Sequence, residues 1–109
     1  MQPMLDLLRY ERADGTVPLE QWLSTLRDRT AQARVRMRIT QLGAGNFGDC
    51  VSVGEGVMEL RIHVGAGYRL YCARYGPAVV LLLCGGDKAS QAADIRLAKE
   101  YLKLWKRSL

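Results

Sequence analysis

The chain has 109 residues, of which 49% are hydrophobic and 25% charged, and it carries a net charge of +5. This composition describes one globular domain, leaves little room for a second core, and contains no apolar run near the roughly 20 residues that a membrane-spanning helix needs. The surplus of positive charge favours a polyanionic partner, either nucleic acid or an acidic protein.

The opening MQPMLDLL lacks the charged segment and cleavage site of a signal peptide, so a cytoplasmic location is expected. Cys50, Cys72 and Cys84 are widely spaced, form no CxxC pair and are accompanied by a single histidine. That is no plausible metal set, so reduced thiols, no metal and no cofactor are expected.

Leu5 to Tyr10 reads as a first strand, closed by the turn signal Asp14-Gly15. Pro18 suits the first position of a helix, with Glu20 in its first turn. Leu19, Trp22, Leu23 and Leu26 then follow at helical spacing. A second helix is expected from about Thr30 to Leu42, with the stripe Ala31, Val35, Ile39 and Leu42 and a stop at Gly43. Arg34 and Arg38 lie one turn apart beside that stripe, placed for RNA or for an acidic partner.

The glycine-rich link from Gly43 to Gly48 has no phosphate-loop spacing. Beyond it the period becomes two: Met58, Leu60, Ile62 and Val64 alternate with Val57, Glu59, Arg61 and His63. Gly65-Ala66-Gly67 can turn a hairpin into a strand from Tyr68 to Tyr75. Val79 to Cys84 is apolar throughout, as in a central strand buried on both faces, and Gly85-Gly86 ends it. Asp87 can cap a last helix with the stripe Ile95, Ala98, Leu102 and Trp105. The order β-α-α-β-β-β-α predicts an α+β domain, a mainly antiparallel sheet with helices packed on one face.

A three-residue hairpin loop would pair Ile62 with Leu70 and Leu60 with Cys72 on the apolar face. The other face would then pair His63 with Arg69 and Arg61 with Tyr71. Such a patch has the chemistry for RNA cleavage by internal transfer. Arginines bind the phosphate and the charge growing on it, histidine moves a proton near neutral pH, and tyrosine donates a proton or stacks on a base.

The segments GNFGD (Gly45–Asp49), VGEGVMELRI (Val53–Ile62), GAGYRLY (Gly65–Tyr71) and LLLCGGDKASQAADIRLA (Leu81–Ala98) resemble the HigB-like "addiction module killer" branch of the RelE/ParE toxin superfamily. So does PLEQWLSTLRD (Pro18–Asp28), and the likeness covers nearly the whole chain in order. The resemblance implies the fold above with one sheet face as the working surface. It implies RNA contacts on the middle strands and on a lysine after the last strand, here Arg61, Arg69 and Lys88. Two positions depart from the branch: Val51 stands where a lysine usually precedes the VG motif, and Ala89 where a hydroxylated residue is common.

In function, the resemblance implies a metal-independent toxin that cleaves mRNA on the ribosome, paired with a helix-turn-helix antitoxin. The same fold also serves non-catalytic ParE-like gyrase poisons, and a chain that keeps only antitoxin binding is a third reading. Lys99, Lys103 and Lys106 form one basic stripe on the last helix, and two surfaces compete to dock the antitoxin: the patch around Arg61 and Arg69, and the favoured helical side that carries Arg34, Arg38 and this stripe.

Overall fold

The computed structural model describes residues 4–109, so the reading of the first three residues falls outside it. The chain runs β1 (Asp6–Arg9), α1 (Pro18–Thr25), α2 (Arg29–Gly43), β2 (Cys50–Gly54), β3 (Val57–Ile62), β4 (Tyr68–Tyr75), β5 (Val79–Gly86) and α3 (Gln91–Arg107). The strands form one five-stranded sheet in the order β1-β5-β4-β3-β2. Only β1 and β5 pair in parallel; every other neighbour is antiparallel. The α+β class therefore stands, with one strand more than the expected order.

The extra strand is β2. It turns into β3 through Glu55 and Gly56, whose φ angles of +55° and +84° fit a tight two-residue hairpin. A left-handed glutamate is unusual, and a Glu-Gly pair is a weaker hairpin signal than Asn-Gly.

Helices cover both faces of the sheet, not one. Leu19 and Leu23 of α1 and Val35, Ile39 and Leu42 of α2 pack on Leu60, Ile62, Leu70, Cys72, Val80 and Leu82. Ala98, Tyr101 and Leu102 of α3 pack on the opposite face, against Val57, Tyr71, Ala73, Leu81 and Leu83. The reason lies in β5: Val80 and Leu82 point one way and Leu81 and Leu83 the other, so both faces need an apolar cover.

Local chemistry sets the helix starts. Pro18 occupies the first turn of α1, and Asp28 Oδ1 caps α2 by accepting from Thr30 N and Ala31 N at 2.9 and 3.2 Å. Asp87 does not cap α3. Its Oδ1 instead accepts from Ser90 N at 3.1 Å, which closes a turn, and α3 begins one residue after Ser90. Lys88 thus sits in that turn rather than in the first turn of the helix. Burial pushes the thiols of Cys72 and Cys84 up to about 12, and all three cysteines are free. No helix among the described residues is long and apolar enough to cross a membrane.

The end of β5 depends on two glycines. A side chain on Gly85 would overlap the Trp22 ring of α1, and one on Gly86 would overlap the Asp94 carboxylate of α3. We expect Gly85→Ala to lower stability by about 1–3 kcal/mol through overpacking, measured by urea denaturation, and to shift Trp22 fluorescence.

Candidate nucleic-acid interface

The β3–β4 loop has five residues, His63 to Gly67, instead of three. The register therefore moves by two: Arg61 lies directly opposite Arg69, Glu59 opposite Tyr71, and Leu60 opposite Leu70. A shift of two preserves which side chains share a face. It changes who meets whom, and the expected pairs His63–Arg69 and Arg61–Tyr71 do not form.

At the centre is Glu59, fully buried. Its carboxylate accepts from Arg61 Nε at 3.0 Å, Tyr71 Oη at 3.1 Å and Gln91 Nε2 at 2.9 Å, with Arg69 Nε at 3.7 Å. Burial acts to raise its pKa. The hydrogen bonds from Gln91, Arg61 and Tyr71 and the charge of Arg69 outweigh that, and hold the carboxyl below its ordinary value of 4.5. One buried anion thus braces two arginines and leaves net positive charge at the surface. Arg61 is 39% exposed at its side chain and Arg69 12%. Arg69 Nη1 donates to Gly67 O at 2.7 Å, whereas its Nε is buried without a hydrogen-bond partner among the described residues. Lys88 stands beside this pair: a Cβ on Gly67 would lie 3.5 Å from Arg69 Nη1 and 3.7 Å from Lys88 Cβ.

Tyr71 does not face solvent. It is buried under α3 and its hydroxyl is committed to Glu59. Burial and the neighbouring Glu59 charge push its pKa far above the usual phenol value, so it positions Glu59 instead of giving a proton to a ligand. His63 lies beyond the end of β3 with 73% of its side chain exposed, and its Nε2 meets Asp49 Oδ2 at 2.5 Å. That hydrogen bond, aided by the charges of His63, Arg61 and Arg38, holds the Asp49 carboxyl below its ordinary range.

The two α2 arginines separate in role. Arg38 donates from Nη1 to Arg61 O at 2.5 Å and from Nη2 to Phe47 O at 2.9 Å and Asp49 O at 3.3 Å. Its guanidinium pins the link before β2 to the end of β3. Arg34 stays exposed on the rim of a groove of about 280 Å³ lined also by Met37, Arg61 and His63. Three of the expected residues, Arg61, Arg69 and Lys88, therefore gather at one sheet end, with His63 and Arg34 around the groove beside Arg61. Sequence reasoning missed Gln91 as a donor to Glu59 and Asp49 as the partner of His63. Among the described residues no group of three or more His, Cys, Asp or Glu is placed to hold a metal ion.

No family model matches the chain. An uncharacterized protein of Haemophilus influenzae is 48% identical over 84 residues, which span 77% of this chain and 85% of the relative. The chain belongs to that protein's family.

The buried carboxylate makes an acid-sensitivity prediction. A depressed folded-state pKa contributes stability that is fully present above the unfolded value, here the ordinary 4.5, and is lost as pH falls through the lower folded value. Urea denaturation at a series of pH values should therefore show stability falling below 4.5 in the parent and a shallower fall in Glu59→Gln. At neutral pH, Glu59→Gln should cost about 3–5 kcal/mol, because Arg69 is left with no buried counter-charge.

Proposed function

We propose that this protein is the toxin of a type II toxin–antitoxin pair, a HigB-like member of the RelE/ParE superfamily that cleaves mRNA on the ribosome in the cytoplasm. The observation that carries the reading is the placement of Arg61 directly opposite Arg69, both leaning on Glu59, with Lys88 beside them. Two forked cations on a rigid sheet, fixed by a buried anion, are suited to a phosphate whose charge grows during reaction.

In the reaction, the RNA 2′-hydroxyl oxygen attacks the adjacent phosphorus and the bond from phosphorus to the 5′-oxygen breaks. The products are a 2′,3′-cyclic phosphate and a 5′-hydroxyl end, with no water or metal consumed. Arg61 and Arg69 take the charge on the non-bridging oxygens. In this reading His63, which meets Asp49 and lines the same groove as Arg61, moves the proton between the 2′-hydroxyl and the leaving oxygen. Lys88 and Arg34 extend the contact to neighbouring phosphates. The partners in this reading are mRNA on the ribosome and a cognate helix-turn-helix antitoxin. The basic stripe of Lys99, Lys103 and Lys106 on α3 is a docking side for the antitoxin that leaves Arg61 and Arg69 open.

Induction of the protein in a bacterial host, with transcript 5′ ends mapped, tests the reading. New 5′-hydroxyl ends inside translated codons are expected, together with growth arrest. Replacing a preorganised donor costs on the order of 100- to 1,000-fold in rate, so Arg61→Ala, Arg69→Ala should abolish both effects. A double variant as toxic as the parent, or arrest with DNA damage and intact transcripts, would remove the assignment.

A further inference from the structure

The helix α3 begins at the arginine cluster, where Gln91 meets Glu59, and its far end borders a cavity that the reaction above leaves unused. The cavity, of about 470 Å³, lies between α3 and the segment after β1, and its walls include Tyr10, Arg12, Tyr101, Leu104 and Trp105. Those walls are braced from within the protein. Tyr10 and Tyr101 stack with ring centroids 4.6 Å apart, and Trp105 meets Tyr75 edge-on at 5.0 Å. Arg12 lies over the Tyr101 ring, donates from Nε to the Tyr101 hydroxyl at 3.1 Å, and donates from Nη1 to Gln21 Oε1 at 2.6 Å and Thr16 Oγ1 at 3.2 Å. A preformed apolar cavity of this kind loses little freedom when it is filled.

The helix beside the cavity is apolar along one row and basic along the next. Leu97, Tyr101 and Leu104 follow at i, i+4 and i+7, and the two leucines are 41% and 40% exposed. Arg96, Lys103 and Arg107 form an exposed flank to that row at i, i+7 and i+11, with Lys99 and Lys106 beyond them. Among the described residues none of these five cations has a carboxylate within 4.0 Å. The carboxylates on this side are Glu100 of α3 and Glu11 of the facing wall, so positive charge is in clear excess.

We infer that this face docks an acidic amphipathic helix of a partner protein, with an apolar side chain seated in the cavity, others against Leu97 and Leu104, and carboxylates opposite Arg96, Lys103 and Arg107. A helix laid in an apolar groove anchors through residues at i, i+3, i+4 and i+7, the spacing of the row that it meets here. Unpaired cations beside the groove favour acidic flanks and speed the encounter. Nucleic acid suits the face less well. Its phosphates would meet the cations but leave two leucines and the cavity uncovered, and the two tyrosine rings are already stacked on each other. The antitoxin is the partner that the toxin reading supplies, so the biological identity of the helix rests on that reading, whereas the docking itself does not. The anchor is apolar; the lysine stripe contributes charge alone.

The probe is a fluorescein-labelled peptide of about 16 residues, with leucines at i, i+4, i+7 and i+11 and glutamate at its remaining positions, followed by anisotropy on the intact protein. It should bind saturably, and the same peptide with lysine in place of glutamate about tenfold more weakly or worse. Leu97→Glu and Leu104→Glu change exposed side chains, and each should weaken binding by about tenfold or more. Met37→Glu, which adds the same charge at an exposed apolar position on α2, should bind like the parent. Equal binding of the two peptides, no binding of either, or equal losses in Leu104→Glu and Met37→Glu would overturn the docking surface. Displacement of the peptide by a short single-stranded RNA would assign the face to nucleic acid and overturn it too. The expected binding in a protein that cleaves no transcript supports the surface and removes the toxin reading. Transcript cleavage by a protein that binds neither peptide overturns the surface and leaves the toxin reading standing.

Discussion

The carboxylate of Glu59 is the constraint on which the site depends. An ionised carboxylate taken out of water is costly unless every lone pair is met. Here β3 supplies Arg61, β4 supplies Tyr71 and Arg69, and α3 supplies Gln91, so three elements must be in place before the charge is accommodated. The same contacts tie α3 to the sheet at its first residue. The balance of charge then follows: one anion against two guanidinium groups, with Lys88 alongside, leaves a cationic end on the sheet. Arg69 makes the point most clearly, since it is largely buried yet its Nε has no hydrogen-bond partner among the described residues.

The rest of the fold serves to hold that end rigid. The central strand β5 is apolar on both faces, and α1 and α2 cover one while α3 covers the other. Glycine is needed where the covers approach closest, at Gly85 under Trp22 and at Gly86 under Asp94. Arg38 performs the equivalent task at the far side of β3, where it gathers the carbonyls of Phe47, Asp49 and Arg61. A residue type that suggests RNA contact in a sequence here meets backbone acceptors, a use of arginine that composition cannot distinguish from ligand binding.

Long elements with a strong period were legible from the residues alone. The stripes of α1, α2 and α3 match their buried faces, and the alternation in β3 and β4 assigned the apolar side correctly because that assignment depends only on parity. The strand β2 escaped because it has five residues, a bulge near Ser52, and a Glu-Gly turn with little propensity signal. The register slipped because Gly65 and Gly67 suggested a short loop, whereas His63 and Val64 also leave the ladder. The expectation of helices on one face failed because β5 is apolar toward both sides, and Leu81 and Leu83 on the second side are covered by α3. Glu59 was visible as a carboxylate among cations, but its burial comes from α3, which no local pattern places over it.

The sharpest check on the bracing of the two arginines is heteronuclear NMR of the arginine side-chain Nε–H groups, recorded in the parent and in Glu59→Gln with a short single-stranded RNA added. In the parent, the Arg61 and Arg69 signals should be resolved, protected from solvent exchange and shifted by RNA. In Glu59→Gln they should lose their protection and respond weakly to RNA. Signals unchanged by Glu59→Gln, or shifted equally by RNA in both proteins, would contradict a site built on that carboxylate.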